Sequence, residues 1–325
     1  MRAPMRLGAI LAFYLLAAAI AVSLASVSNP LAVNLLLRGG SIVILAISWN
    51  LAANAGLISL GHSTFWGLGS YAVLLLANRA GWPFFASIIP AAILGAAVAA
   101  GLAVITGRLR GIFFAIATLA LSEALRVVAL MLPDLTGGGG GVFIDQGLRP
   151  DPRFLAAVTL LAAVVFALLA HLLSRTPFHY ACRAMRNNEH ASQMLGINPL
   201  YFRVLVLAVS GALASVAGGL NIWYTGFLDP NIGFDLQITI LSQIGPILGG
   251  IYTLAGPILG GIAAILLSEA SRLAFGVHGG SLLIYGAVLV VSIMFMPNGI
   301  RGALRRLARR QRSPALPMRA GRAVP

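Results

Sequence analysis

The stretch RTPFHYACRAMRNNEHASQMLGINP, residues 175–199, lies between two apolar segments that are each long enough to cross a bilayer. It carries three arginines, one glutamate and the residue types that begin and end helices. A segment this polar is costly to place in hydrocarbon, so the chain is expected to enter and leave a membrane at the same face. We call residues 175–199 the polar island.

The composition around the polar island is that of a membrane protein. Of the 325 residues, 59% are hydrophobic and only 9% are charged, and the mean hydropathy is +0.93. A soluble domain carries about 25% charged residues. The sequence therefore predicts an all-α integral membrane protein with a single transmembrane domain over residues 1–325.

Apolar runs predict about ten membrane crossings, because a helix needs about 20 residues to cross the hydrocarbon core. Two continuous apolar stretches, 35–77 and 236–275, must each break and turn, so some helices are expected to be discontinuous. Asn and Gly tolerate turn geometry and place the breaks at 54–56 and 253–256. The runs are 7–27, 35–54, 57–77, 84–105, 111–132, 154–173, 201–223, 236–253, 256–275 and 280–297.

The distribution of arginine predicts that both termini lie in the cytoplasm. With the N-terminus inside, the arginines of residues 1–6, 108–110 and 175–203 and of a basic tail at 299–325 fall on one side. The first segment could instead be a signal peptide, since residues 1–6 are basic. Its apolar run is longer than the usual ~7–15 residues, which favours a retained helix.

The charged and reactive residues exclude several classes of function. The net charge of +14 comes from arginine alone, and without a lysine the chain cannot form a phosphate-binding P-loop. Any ATP hydrolysis must then be done by a separate partner. The arginine-rich tail follows a membrane segment and is expected to touch anionic lipid, not nucleic acid. The single cysteine, the spacing of the histidines and the absence of a nucleophile–base set predict no disulfide, metal, cofactor or catalytic site, and hence no enzyme.

The polar island predicts one helix over 177–195. Thr176 and Pro177 are typical of a helix start, and Gly196 is typical of a helix end. A turn of about 100° per residue defines two neighbouring faces, one with Phe178, Cys182, Met185 and Glu189, the other with His179, Arg183, Arg186 and His190. Two interpretations stay open: a surface that docks onto another protein, or an amphipathic helix at the membrane interface with an internal Arg186–Glu189 pair.

Polar side chains inside the apolar runs are candidates for a substrate path, because such groups are costly in a membrane. Glu123 and Arg126 could hold the ammonium and carboxylate of a zwitterionic substrate, or they could neutralise each other. His62 could line the path or pack as a hydrogen-bonded core residue. The candidate path residues are Ser59, His62, Ser63, Thr64, Thr118, Glu123 and Arg126.

The hexapeptide GPILGG occurs twice, at 245–250 and 256–261. Each copy contains two glycines four residues apart, which permit close helix approach in lipid. Each also contains a proline that interrupts the backbone hydrogen bonds. Helix packing and the shaping of a translocation path are both open interpretations.

Several segments, spread along the chain, together resemble one family. They are LISLGHSTFWGLGSYA (57–72), GRLRGIFFAIATLALSEALR (107–126), LTGGGGG (135–141), RAMRNNEHA with GIN (183–191, 196–198), LGGIYTLAGPILGG (248–261) and MPNGIRG (296–302). Together they cover most of residues 55–302, and the chain resembles the branched-chain amino acid ABC importer permeases of the LivM type. It departs from the family where glycines replace polar residues in 135–141. Tyr252 also stands where a Gly-Gly-x-Gly-Thr pattern has its third glycine.

The resemblance implies a permease subunit of an ABC importer in the bacterial inner membrane. It implies ABC ATPase subunits, a second related permease that completes a heterodimer, and a periplasmic substrate-binding protein as partners. It also implies that 177–195 is the cytoplasmic coupling helix that meets the ATPase. The coupling residues expected from it are Arg183, Arg186, Asn187, Glu189 and Gly196.

One alternative interpretation stays open for the substrate and one for the energy source. The resemblance implies branched-chain amino acids, but related permeases carry urea or short amides. A transporter of another class, working alone on an ion gradient with Glu123 or Glu269 as the coupling group, is the second possibility.

Overall fold

A computed structural model of the chain describes residues 7–26 and 29–275 and, beyond them, only single positions. Residues 1–6, the predicted crossing at 280–297, the MPNGIRG segment and the basic tail at 299–325 lie outside the described residues. Within the described part, the chain is helical apart from loops and one sheet of two short strands. The predicted all-α class is confirmed.

Thirteen α-helices and two strands follow one another in the described part. The helices are α1 (Leu7–Ala25), α2 (Pro30–Asn54), α3 (His62–Ala80), α4 (Phe84–Ile105), α5 (Ile112–Leu130), α6 (Pro133–Thr136), α7 (Pro152–Leu173), α8 (Pro177–Asn187), α9 (Glu189–Met194), α10 (Pro199–Thr225), α11 (Pro230–Gly233), α12 (Leu236–Gly249) and α13 (Ala255–Phe275). Strands β1 (Val142–Phe143) and β2 (Phe227–Leu228) pair in antiparallel fashion.

Seven helical segments of the described part are long and apolar enough to cross a membrane, so this is a multi-pass membrane protein. They are α1, α2, α4, α5, α7, α10 and the segment formed by α11 and α12. The count of about ten crossings and the cytoplasmic placement of both termini stay predictions.

Two central helices, α2 and α10, organise the bundle. α10 packs against α2, α3, α4 and α7, while α7, α12 and α13 pack around α2. Trp49 of α2 and Trp223 of α10 are among the largest fully buried side chains. Large apolar side chains of α1, α4 and α5 point outward, as expected for helices that face lipid.

The bundle has two distinct ends. The island end holds the last residues of α2 and α7, the α4–α5 turn, α8, α9 and the start of α10. The loop end holds residues 131–151 and 226–235, which β1 and β2 tie together. The polar island thus lies at the opposite end from the longest loops.

The first predicted break begins where it was predicted, but it ends later in the chain than predicted. α2 ends at Asn54, but α3 begins at His62 and not at residue 57. Residues 55–61 fold back into the bundle without helical structure, and the Ser59 carbonyl accepts a hydrogen bond from Trp49 Nε1 at 2.9 Å. Because buried side chains satisfy this backbone, α3 can begin inside the bundle as a discontinuous helix.

The second predicted break is displaced. α12 ends at Gly249 and α13 begins at Ala255, so the turn is 250–254 and not 253–256. Tyr252 adopts a left-handed backbone with φ of 63°, which costs a non-glycine residue about 1–2 kcal/mol. The Asn50 side chain holds the turn, because Oδ1 accepts from the Tyr252 N–H at 3.0 Å and Nδ2 donates to the Thr253 carbonyl at 3.0 Å.

The two GPILGG copies pack against each other where α12 meets α13. Gly245 lies against Gly260, and Gly249 lies against Gly256. A Cβ atom added to Gly249 or Gly260 would overlap a backbone carbonyl of the facing helix. The helix-packing interpretation is confirmed for both copies.

Candidate functional site

The polar island forms two helices instead of the one predicted over 177–195. α8 stops at Asn187, and Asn188 is extended with φ of −158° and ψ of 107°. Its Oδ1 accepts from the Ala191 N–H at 3.0 Å, so this asparagine caps a new helix, α9. Gly196 follows α9 with φ of 81° and acts as the predicted stop. Thr176 makes no side-chain cap; its hydroxyl donates to the Leu173 carbonyl at 2.6 Å.

The apolar face of α8 packs onto the membrane helices of the same chain. Cys182 is 2% exposed and Met185 is 6% exposed, and Phe178 lies 5.8 Å from Phe202 of α10, ring centre to ring centre. Burial raises the pKa of the Cys182 thiol to about 12. This face therefore packs against the rest of the chain, so a partner would contact another face of the polar island. Docking onto another protein and contact with the membrane interface both stay predictions for the helix.

Glu189 is the centre of a charged network that we call the ionic joint (Glu189, Arg203, Arg110). Its Oε2 lies 2.8 Å from Arg203 Nη2 and 3.0 Å from Arg110 Nε. Arg203 Nη1 also donates to the carbonyls of Gly107 at 2.8 Å and Leu109 at 3.1 Å. One carboxylate thus links α9 to α10 and to the α4–α5 turn.

The predicted Arg186–Glu189 pair is wrong. The break at Asn188 separates the two residues into different helices, so the i, i+3 geometry is lost. Arg186 instead lies over the ring of Tyr252, with Cζ 3.9 Å from the ring centre. We call Arg186 and Tyr252, with Asn50 beneath the turn, the stacked joint. Desolvation by burial, together with the charge of Arg183, lowers the pKa of Arg186.

The opposite face of the island is open. Met194 is 89% exposed, Leu195 is 79% exposed and Tyr180 is 61% exposed. Of the predicted coupling residues, three are exposed: Arg183, Asn187 and Gly196. Arg186 and Glu189 turn toward the membrane helices. The predicted set is therefore divided between residues exposed to solvent and residues of the two joints.

Most of the predicted path residues meet around the first turn of α3. His62, Ser63 and Thr64 are fully buried there. Ser63 Oγ lies 2.7 Å from Ser122 Oγ and 3.1 Å from Thr239 Oγ1. The hydrogen bonds of Ser63 join α3 to α5 and α12. We call His62, Ser63, Ser122, Thr239 and Ser210 the polar cluster.

The remaining contacts extend the polar cluster to α10 and α2. His62 Nε2 lies 3.1 Å from Ser210 Oγ, and Ser210 Oγ donates to the Ser48 carbonyl at 2.8 Å. Thr118 Oγ1 accepts from the Leu60 N–H at 2.9 Å, and Ser59 Oγ accepts from the Gly61 N–H at 3.2 Å. The sequence did not mark Ser48, Ser122, Ser210 or Thr239 as path residues, because an isolated hydroxyl in an apolar run does not show which helix it faces.

Glu123 and Arg126 do not join the polar cluster. Arg126 Nε donates to Glu123 Oε2 at 2.9 Å, and Arg126 Nη1 donates to Asn231 Oδ1 of α11 at 3.0 Å. The two side chains are 48% and 31% exposed, respectively. The pair forms as the neutralising alternative predicts. Across residues 7–26 and 29–275, no group of three or more His, Cys, Asp or Glu side chains could hold a metal ion.

One family model matches most of the chain. The family model described as "Branched-chain amino acid transport system / permease component" matches residues 31–293. No solved structure matches the chain.

Individual relatives carry the same description. The chain is 28% identical over 289 residues to the high-affinity branched-chain amino acid transport system permease protein LivM of Escherichia coli (strain K12), covering 79% of this chain and 67% of the relative. It is 29% identical over 171 residues to a probable LivM of Methanocaldococcus jannaschii, covering 50% and 49%. It is 28% identical over 191 residues to LivH of the same E. coli strain, covering 56% and 58%.

Proposed function

This chain belongs to the branched-chain amino acid transport permease family, and from that premise we propose that it is the transmembrane subunit of an ATP-driven importer for branched-chain amino acids. The relatives are transport permeases and not enzymes. The subunit would lie in the bacterial inner membrane and pass substrate from a periplasmic binding protein to the cytoplasm. The basic tail at 299–325 would touch anionic lipid.

The partners follow from what the chain lacks and from its relatives. Without a lysine the chain has no P-loop, so ATP hydrolysis falls to separate ATPase subunits. The chain is similar to both LivM and LivH of one organism, which supports a heterodimer with a second related permease. The binding protein would deliver substrate at the loop end, to residues 133–153 and 225–235.

The observation that carries the proposal is that the polar island has an exposed outer surface and an inner side that contacts the membrane helices. Its outer surface exposes Met194 and Leu195, which suits contact with an ATPase subunit. Its inner side holds the membrane helices through the ionic joint and the stacked joint. A movement of the outer surface would therefore be transmitted to α10, the α4–α5 turn and the α12–α13 turn.

The charge of a cavity beside the ionic joint indicates what kind of partner surface would fit there. A cavity of about 380 Å³ opens there, and its lining includes three arginines and a single carboxylate. These residues are Arg110, Arg186, Arg203 and Glu189. An ATPase surface that presents acidic side chains would fit this excess of positive charge.

The polar cluster is the proposed wall of the substrate path. The N-terminus of α3 begins inside the bundle, and a helix N-terminus attracts the carboxylate of a substrate. Ser59, His62, Ser63 and Thr118 would exchange their present hydrogen bonds for substrate contacts when α3 moves relative to α5 and α12. The buried Thr64 hydroxyl, which has no partner among the described residues, would gain such a contact.

Uptake by the reconstituted transporter tests the function. The complex of both permeases and the ATPase subunits, in vesicles with the binding protein, should take up leucine, isoleucine and valine only when ATP is supplied. Preferential uptake of urea or short amides would show that these compounds, and not branched-chain amino acids, are the substrate. Transport by the purified chain alone, driven by a proton or sodium gradient, would exclude the ABC importer and favour the ion-coupled class.

A further inference from the structure

A second cavity, of about 230 Å³, lies at the island end between α2, α7, α8 and the α12–α13 turn. Both α2 and α7 run toward the island end, so residues earlier in each helix lie deeper. The deep lining includes the apolar Ile47, Leu51 and Ala167, and also Asn50, whose amide is already bonded to the α12–α13 turn. The lining nearer the island is polar and includes Asn54, Ser174, His179 and Arg183.

Asn54 leaves a buried acceptor at the polar end of this cavity. The residue is only 6% exposed, and its Nδ2 donates to the Asn50 carbonyl at 2.7 Å. Its Oδ1 has no hydrogen-bond partner within the described part of the chain. A buried acceptor without a donor costs free energy, so a ligand that donates a hydrogen bond to Asn54 Oδ1 would bind favourably in this cavity.

Arg183 supplies the complementary charge. Unlike Arg203, it forms neither an ion pair nor a side-chain hydrogen bond with any residue the structure describes. Burial, together with the charges of Arg183 and Arg186, lowers the pKa of His179, which favours the neutral form of this histidine. Within the described part of the chain, the polar end therefore offers one unpaired cation and one unpaired acceptor, beside the apolar side chains of Ile47, Leu51 and Ala167.

We propose that this cavity binds one molecule of a free aliphatic α-amino acid from the cytoplasmic side. The carboxylate pairs with Arg183, the ammonium donates to Asn54 Oδ1, and the side chain lies against Ile47 and Leu51. Pockets for drug-sized ligands occupy about 300–1,000 Å³, so a cavity of about 230 Å³ suits a molecule the size of leucine. The choice of ligand and the cytoplasmic side rest on the proposed function.

Binding there would inhibit the transporter. Arg183 belongs to the island, whereas Asn54 belongs to the central helix α2. A ligand that contacts both favours the docked position of the island, because it binds that state better than one in which the island has moved. The imported product would thus slow further import, which is feedback control at a site separate from the polar cluster.

The first test measures binding of radiolabelled L-leucine to the purified complex, without binding protein or ATP, by equilibrium dialysis. Saturable binding is expected. In a separate assay with ATP, leucine should lower basal ATPase activity over the same concentration range. Leucinamide lacks the carboxylate and 4-methyl-2-oxopentanoate lacks the ammonium, so each should bind about tenfold more weakly. Equal binding of all three compounds would overturn the proposed contacts.

Two variants locate the site. Ala170→Leu fills the cavity from α7, and Asn54→Leu removes the unpaired acceptor. Each should abolish leucine binding and the inhibition of basal ATPase in an assembled complex. Ala97→Leu, on an exposed face of α4, is the matched control and should keep both. Leucine binding that survives both cavity variants would place the ligand elsewhere and overturn the inference.

The outcomes separate this inference from the proposed function. ATP-dependent leucine uptake by a complex that binds no leucine in dialysis would defeat the feedback site and leave the importer intact. Failure of ATP-dependent uptake, with leucine binding retained, would defeat the importer and leave a leucine site of another role.

Discussion

Glu189 and Glu123 each accept a short hydrogen bond from an arginine, but the two pairs are built differently. Glu123 contacts Arg126 one turn along the same helix, and the carboxylate is 48% exposed. Glu189 is 14% exposed and holds Arg203 and Arg110 from two other parts of the chain. The first pair belongs to one helix, whereas the second connects the island to the bundle.

This difference sets the expected energies. A solvent-exposed ion pair contributes about 0–1 kcal/mol, because water already stabilises both charges. Removing one member of a buried pair costs about 3–5 kcal/mol, because the other charge is left uncompensated. Arg203 is 8% exposed and has no other carboxylate among its described contacts. The ionic joint should therefore respond to mutation far more strongly than the Glu123–Arg126 pair.

The largest expected effect comes from Glu189→Arg, which places three arginines at the ionic joint. ATPase activity should no longer respond to substrate-loaded binding protein, while the permease still inserts. Cys182, the single cysteine of the sequence, lies on the buried face of α8 and reports on docking, so its labelling by a maleimide should become faster. Glu189→Gln should lower the free energy of unfolding by about 3–5 kcal/mol, measured in detergent. Stimulated ATPase activity equal to wild type in Glu189→Arg would show that the island does not transmit force through this residue.

The stacked joint should give an intermediate effect. Arg186→Ala removes a cation over a ring, a contact that contributes about 0.5–2 kcal/mol, and should speed Cys182 labelling less than Glu189→Arg does. Tyr252→Gly is the matched variant, because it removes the ring and also relieves the left-handed backbone. It should speed labelling with little loss of thermal stability. Labelling unchanged in both variants would leave the ionic joint as the main anchor.

Arg110→Ala should act weakly, although it touches the same carboxylate. The Arg110 side chain is 53% exposed, so its loss should cost about 1 kcal/mol or less and leave Arg203 paired with Glu189. Thermal unfolding compared with that of Glu189→Gln measures the difference. An equal loss in the two variants would mean that Arg110 and Arg203 share the charge evenly.

The smallest expected effect is that of Arg126→Ala. The exposed local pair should contribute about 0.3–0.5 kcal/mol, within the error of most unfolding measurements. Leucine uptake by the assembled complex should also continue, since Arg126 lies apart from the polar cluster. Loss of uptake with normal assembly would instead give this arginine a contact with substrate.

Much of the fold was predictable because hydrophobicity and helix ends are local properties. Nine of the predicted apolar runs coincide with described helices, and the α2 break lies where Asn and Gly permit it. The polar island was predictable as a helical element with a stop at Gly196. Asparagine is a preferred helix N-cap residue, so the Asn187–Asn188 pair indicated the break between α8 and α9. Helical periodicity alone did not indicate it.

The candidate site was only partly predictable for a physical reason. The residue types at 59–64 marked the polar cluster, but its partners Ser122, Thr239 and Ser210 come from three other helices. No spacing along the chain encodes which of many serines will face Ser63. The start of α3 inside the bundle was likewise invisible, because its backbone is satisfied by groups such as Trp49 Nε1.

By itself, the sequence determined the membrane class, the approximate positions of the long apolar helices, the absence of a P-loop lysine and the family resemblance. These depend on composition, on the missing lysine and on neighbours a few residues apart. Only the tertiary structure decided where the charges of the polar island go. Glu189 could reach Arg186 one turn away in a continuous helix, but the cap at Asn188 ended that helix. Packing then brought Arg203 and Arg110 to the carboxylate, and Arg186 to Tyr252.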